Sequence, residues 1–181
     1  DTDSNLYAGG GSGGTIYIKS PVLEGHGTLS SSGGDGTTGG AGGRISVILG
    51  SKVYFYGDYQ ALGGSGSGSY GSMTSGGPGS VYIQDTRYGI TYKQLMLDNM
   101  GRTWDHQYVL DEGSDTKYKF DEVHLVRNAS LQIKTGDPIN RELTVTKIYG
   151  DKSGRIYLQA NQIAYLEEYQ ELTKTPINLW V

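Results

Sequence analysis

Apolar and polar positions alternate in short bursts along this chain, and glycines precede the bursts. Gly13-Gly14-Thr15-Ile16-Tyr17-Ile18, Gly42-Gly43-Arg44-Ile45-Ser46-Val47 and Gly77-Pro78-Gly79-Ser80-Val81-Tyr82-Ile83 share one pattern. Alternation with period two predicts a half-buried strand after each glycine group. Ile16 to Ile45 is 29 positions and Ile45 to Val81 is 36. A fourth copy, Gly154-Arg155-Ile156-Tyr157-Leu158, lies 75 positions beyond Val81, close to two periods. A recurrence of roughly 30–37 residues that delivers a strand each time predicts a repeat array and not one globular core.

Each unit of the first half holds two strands. Thr15–Lys19 is followed by Gly27-Thr28-Leu29-Ser30-Ser31 and the glycine corner Gly33-Gly34, and Arg44–Leu49 by Tyr54–Leu62 and the corner Gly63-Gly64. Gly33 to Gly63 is 30 positions, which agrees with the strand spacing. After Ile83 the runs Gln94–Leu97, Lys119–Val126, Ser130–Lys134, Glu142–Ile148, Arg155–Gln159 and Gln162–Leu166 read as further strands, separated by turn-forming stretches such as Asp98-Asn99 and Gly136-Asp137-Pro138. Ile163–Lys174 is the one window with helical spacing, but its apolar face is short and a final strand with a tail is the preferred reading.

Composition sharpens this picture. Residues 1–80 hold 24 of the 30 glycines, so the chain divides into a glycine-rich part, 1–83, and a glycine-poor part, 84–181, read together as one continuous coil. Glycine recurring in register predicts ordered structure, with tight corners at positive φ and close approach of neighbouring turns. Fifteen Tyr against two Phe and two Trp suits pleated, half-buried surfaces. The expected fold is therefore all-β: a parallel β-helix, or β-solenoid, of about five or six turns with Gly-rich corners. The chain opens on Asp, and an excerpt of a longer protein is the expectation.

The strings GGGSGGTIYIKSPVLEGHGTLSSSGGDG, GGAGGRISV and GGPGSVYIQD, followed by a strand ending in LMLDNMGR, resemble the glycine-rich repeats of large secreted or cell-surface proteins that form parallel β-helices. The resemblance covers about residues 9–101. It implies a segment of a long extracellular or surface protein, and it brings no catalytic motif.

Charge and chemistry exclude more than they assign. A net charge of −4 with mixed signs leaves no basic footprint for nucleic acid, no segment has the apolar length of a membrane span, and no cysteine is present for disulfides or thiolate chemistry. Gly33-Gly34-Asp35-Gly36 lacks the succession of aspartates that calcium-binding β-rolls need. Asp111 and Asp115 carry the oxygen ligands that calcium prefers and are weak candidates only, with a solvated acidic loop preferred. Asp121, Glu122, His124 and Arg127 alternate on one strand, with Asp121 facing away from Glu122 and His124, so an acid–base site there would need partners from adjacent turns. Tyr54, Tyr56 and Tyr59 read as stabilising ladders before they read as sugar-stacking platforms. Asn128-Ala129-Ser130 is the sole N-glycosylation sequon. No catalytic residue and no cofactor follows.

The expected function is that of a non-enzymatic extracellular structural protein, a segment or protomer of a surface filament, coat or adhesin. It would associate end to end or with other domains of its parent, with glycans as further partners. A carbohydrate-binding or polysaccharide-cleaving β-helix is the alternative.

Overall fold

The structure, a computed structural model, describes residues 8–51, 53–67, 75–102, 107–110, 117–133, 141–158, 162–171 and 178–180. Its elements are all strands: β1 (Thr15–Ser20), β2 (Glu24–Gly25), β3 (Thr28–Ser30), β4 (Arg44–Leu49), β5 (Tyr54–Phe55), β6 (Asp58–Gln60), β7 (Ser80–Arg87) and β8 (Ile90–Asp98). There follow β9 (Gln107–Leu110), β10 (Lys117–Val126), β11 (Ser130–Ile133), β12 (Arg141–Gly150), β13 (Arg155–Tyr157), β14 (Gln162–Glu171) and β15 (Asn178–Trp180). The helical spacing near Ile163 is overridden, because β14 pairs in parallel with β12 along its length.

The first three glycine-led bursts take the register their spacing predicts. Ile16 lies beside Ile45 and Ile45 beside Val81, in parallel strands β1, β4 and β7. Alternation then places Ile45, Val47, Val81 and Ile83 in one core, with Leu29 and Tyr59 of the β3–β6 pair packed over it.

The single continuous β-helix of five or six turns is not what forms. The seven-stranded sheet, in the order β1-β4-β7-β8-β10-β12-β14, is mixed, because β7 and β8 pair antiparallel. Arg87 and Ile90 close this hairpin around Tyr88 and Gly89, both at positive φ, 54° and 78°. Two successive positive φ values are what a two-residue hairpin loop needs to match the twist of its strands. Beyond the hairpin, β8, β10, β12 and β14 run parallel to one another. A separate four-stranded parallel sheet, β15-β13-β11-β9, lies against them.

The hairpin also inverts the buried face. Directly paired residues share a face, and Val81 and Ile83 of the first core pair with Met96 and Gln94. The core residues of β8, Leu95 and Leu97, therefore point through the opposite face, where they join Val123, Leu125, Leu131, Leu143, Val145 and Ile156 in a second core. Tyr82 and Met96 confirm the crossing: each packs against the core of the other half. The fourth burst falls in this second half. Ile156 sits on β13 beside Leu131, in the four-stranded sheet, and does not continue the series of Ile16, Ile45 and Val81.

Glycine-rich corners need correction too. Among the described residues of the glycine-rich half, only Gly25 and Gly27 have positive φ. Several of the other glycines form a bonded array outside the strands. Gly34 N–H donates to Gly11 O, Gly40 to Gly34, Gly64 to Gly40 and Gly76 to Gly64, at 2.7–2.9 Å. A Cβ on Gly40 would come closer than 3.0 Å to Gly11 O, and one on Gly64 likewise to Gly34 O. The hydrogen each would replace points at a carbonyl oxygen, a contact only glycine allows. Arg102, from the second half, ties the halves together by donating from Nη1 to Gly63 O (2.8 Å) and Gly76 O (3.0 Å).

Candidate functional site

Glu122 lies at the centre of a polar cluster on the seven-stranded sheet. Period-two alternation on β10 sets Glu122 and His124 on one face. The parallel register brings Gln94 beside Glu122 from β8, and Tyr149 beside His124 from β12. Tyr92 Oη donates to Glu122 Oε1 at 2.5 Å, Gln94 Nε2 donates to Oε2 at 2.5 Å, and His124 Nε2 lies 3.3 Å from Oε2. The His124 ring stacks on Tyr149, centroids 4.6 Å apart.

Burial of the Glu122 side chain, 13 % exposed, by itself raises its carboxyl pKa. Hydrogen bonds from His124, Tyr92 and Gln94, with the attraction of His124, outweigh that and bring it down to about 2. Such a carboxylate stays ionised at neutral pH, is a weak base, and has its oxygens occupied. These hydrogen bonds, with Tyr149 Oη 3.5 Å from Oε1, join β8, β10 and β12 at one level. A depressed carboxyl stabilises the fold above its ordinary value of 4.5, and that contribution is lost as pH falls through about 2. Between pH 4.5 and 2 the wild type should therefore lose about 2 kcal/mol that Glu122→Gln does not lose, read as the difference in urea midpoints.

The other residues singled out in the sequence are spread apart. Asp121 sits where the alternation of β10 shifts by one residue, from buried Phe120 to buried Val123, and its Oδ2 accepts from Lys93 N–H at 2.8 Å. Arg127 is at the turn after β10: its side chain pairs with Asp98 and its N–H donates to Asp151 Oδ2. The hydrogen bond to Asp98, with its attraction, raises the guanidinium pKa, and burial raises the Asp151 carboxyl less than the hydrogen bonds from Ser153 and Arg127 N–H together lower it. Asn128, the sequon residue, is half-buried at φ 65°, its N–H donating to Ser153 Oγ at 2.6 Å. Asp35 Oδ1 accepts from Ser65 N–H at 2.6 Å, which ties two levels of the glycine array. Tyr54 and Tyr56 are exposed, the latter beside the His26 ring, whereas Tyr59 packs into the first core against Phe55. Asp111 and Asp115 lie outside the described residues; among those described, no three His, Asp or Glu gather as a metal would require.

Sequence reasoning missed Tyr92, Gln94 and Tyr149. Each is 27 to 30 positions from Glu122, and only the register shift between strands aligns them. Comparison with protein-family models, curated proteins and solved structures finds no match for this chain.

Proposed function

We propose that this chain is a non-enzymatic structural segment of an extracellular filament, coat or adhesin, joined to its neighbours through sheet edges. The observation that carries this reading is the pair of open edges on the seven-stranded sheet. Among the described residues β1 pairs only with β4, and β14 only with β12. Both edges also present large apolar side chains, with Tyr17 60 %, Ile163 46 % and Tyr165 51 % exposed. Edge strands that stay single usually carry charge, proline or a bulge, and β1 has one lysine, Lys19, and no proline. Ile16 and Ile18 are only half-covered where Ile45 and Val47 are buried, so a further strand on β1 would complete the first core.

The Glu122 cluster supports a structural role, since its carboxylate is a poor proton carrier. Sedimentation velocity over a range of concentrations, with electron microscopy of the same samples, tests the proposal. Linear oligomers that grow with concentration are expected, and Ile18→Lys combined with Tyr165→Lys should abolish them. A monodisperse monomer at every concentration would overturn it.

A further inference from the structure

A second feature, independent of the assembly reading, lies where β8 and β10 fork. β10 pairs with β8 only from Glu122 onward; its first half, Lys117–Asp121, pairs with β12 alone, while the first half of β8 turns away to pair with β7. Asp121 marks the fork, accepting from Lys93 N–H. Between the diverging strands opens a cleft of about 210 Å³, lined also by Tyr108 and Leu110 of β9.

The cleft has an aromatic lining and a cationic rim. Tyr82, Tyr108, Tyr118 and Phe120 line it, with Tyr82 edge-on to Phe120 at 6.5 Å. Tyr118 is fixed in place: its hydroxyl accepts from Arg141 Nη1 at 2.8 Å and donates to Leu110 O at 3.4 Å. Arg141 is itself only 2 % exposed, so a cation lies buried behind the aromatic wall. Lys93, Lys117 and Lys119 also line the cleft. Lys117 Nζ pairs with Glu142 at 3.0 Å, while Lys93 and Lys119 take part in no ion pair among the described residues. Among the described residues, the cations Lys93, Lys117, Lys119 and Arg141 thus gather beside the acids Asp121 and Glu142.

We propose that this cleft binds a single ring bearing a carboxylate. Its volume lies below the roughly 300–1,000 Å³ of sites for drug-sized ligands, which limits the occupant to about one ring. Aromatic side chains offer such a ring a face to stack on, and Lys93, on the same face of β8 as Leu95, offers a charge for its carboxylate. A uronate sugar residue and a small aromatic acid share this chemistry.

Saturation-transfer NMR and calorimetry on the purified chain, with glucuronate, 4-hydroxybenzoate and neutral glucose as probes, decide the matter. At least one of the two carboxylates should bind, and at least about tenfold more tightly than glucose. The Lys93→Met variant, folded by circular dichroism, should lose that preference, and Tyr108→Ala should weaken binding of either acid. Binding of glucuronate alone identifies a sugar ligand, and binding of 4-hydroxybenzoate alone an aromatic one. No binding of either acid, glucose binding equally well, or a preference unchanged in Lys93→Met would overturn the proposal.

Discussion

Gly40→Ala should destabilise the glycine-rich half by about 3 kcal/mol, the upper end of what overpacking costs. Gly40 is buried between two neighbours in the array, donating to Gly34 O and accepting from Gly64 N–H. An added methyl group would meet backbone atoms of Gly10 and Gly11, which cannot rotate aside as a side chain can. Relief requires parting two chain segments, and that stretches several of the hydrogen bonds linking them. Gly14→Ala is the control, because a Cβ there meets nothing within 4 Å and the residue is exposed. It should change stability by less than about 0.5 kcal/mol. Urea unfolding followed by circular dichroism compares the two; equal midpoints would show that the array does not hold this half together.

Leu131→Ala should cost about 2–5 kcal/mol, the range for a fully buried leucine, and the loss should be confined to one half. Leu131 lies in the second core between its register partners Tyr108 and Ile156, and the first core of Ile45, Val47 and Val81 is on the other face of the shared sheet. A cavity around Leu131 removes contacts from β9, β11 and β13 and none from β1 and β4. Amide hydrogen exchange should then show lost protection across β10–β13 with β1 and β4 unchanged. Equal loss in both halves would mean that the β7–β8 hairpin and Arg102 couple the two cores into one cooperative unit.

Acid acts on the second half through Glu122. Glu122 ties β8 and β10 of the second half, so its protonation toward pH 2 loosens that sheet. In the first half the described bonds from Gly11 to Gly76 join backbone groups, and Asp35 adds one carboxylate contact between levels by accepting from Ser65 N–H.

Local pattern was enough for several elements. Glycine followed by β-branched alternation located β1, β4 and β7, and counting between Ile16, Ile45 and Val81 gave their register, because a parallel stack converts sequence spacing directly into neighbour identity. The same alternation put Glu122 and His124 on one face. It could not supply Tyr92, Gln94 or Tyr149, whose strands are offset by 25 and 28 positions instead of the 29 and 36 of the glycine-rich half.

What the sequence determined by itself was an all-β chain with a repeated parallel register in its first half and glycine where backbones come close. Only the tertiary structure decided that β8 turns back along β7. Tyr88-Gly89 lacks the Asn or Asp that marks the commonest two-residue hairpin, and a continued parallel strand would have satisfied the alternation equally well. The inversion of the core was out of reach for a related reason. Alternation states which residues share a face but not which face of the sheet is covered, and that depends on where the β3–β6 pair and the β9–β15 sheet pack. The fork that opens the cleft follows from the same choice, since residues 90–93 of β8 pair with β7 alone while residues 117–120 of β10 pair with β12 alone.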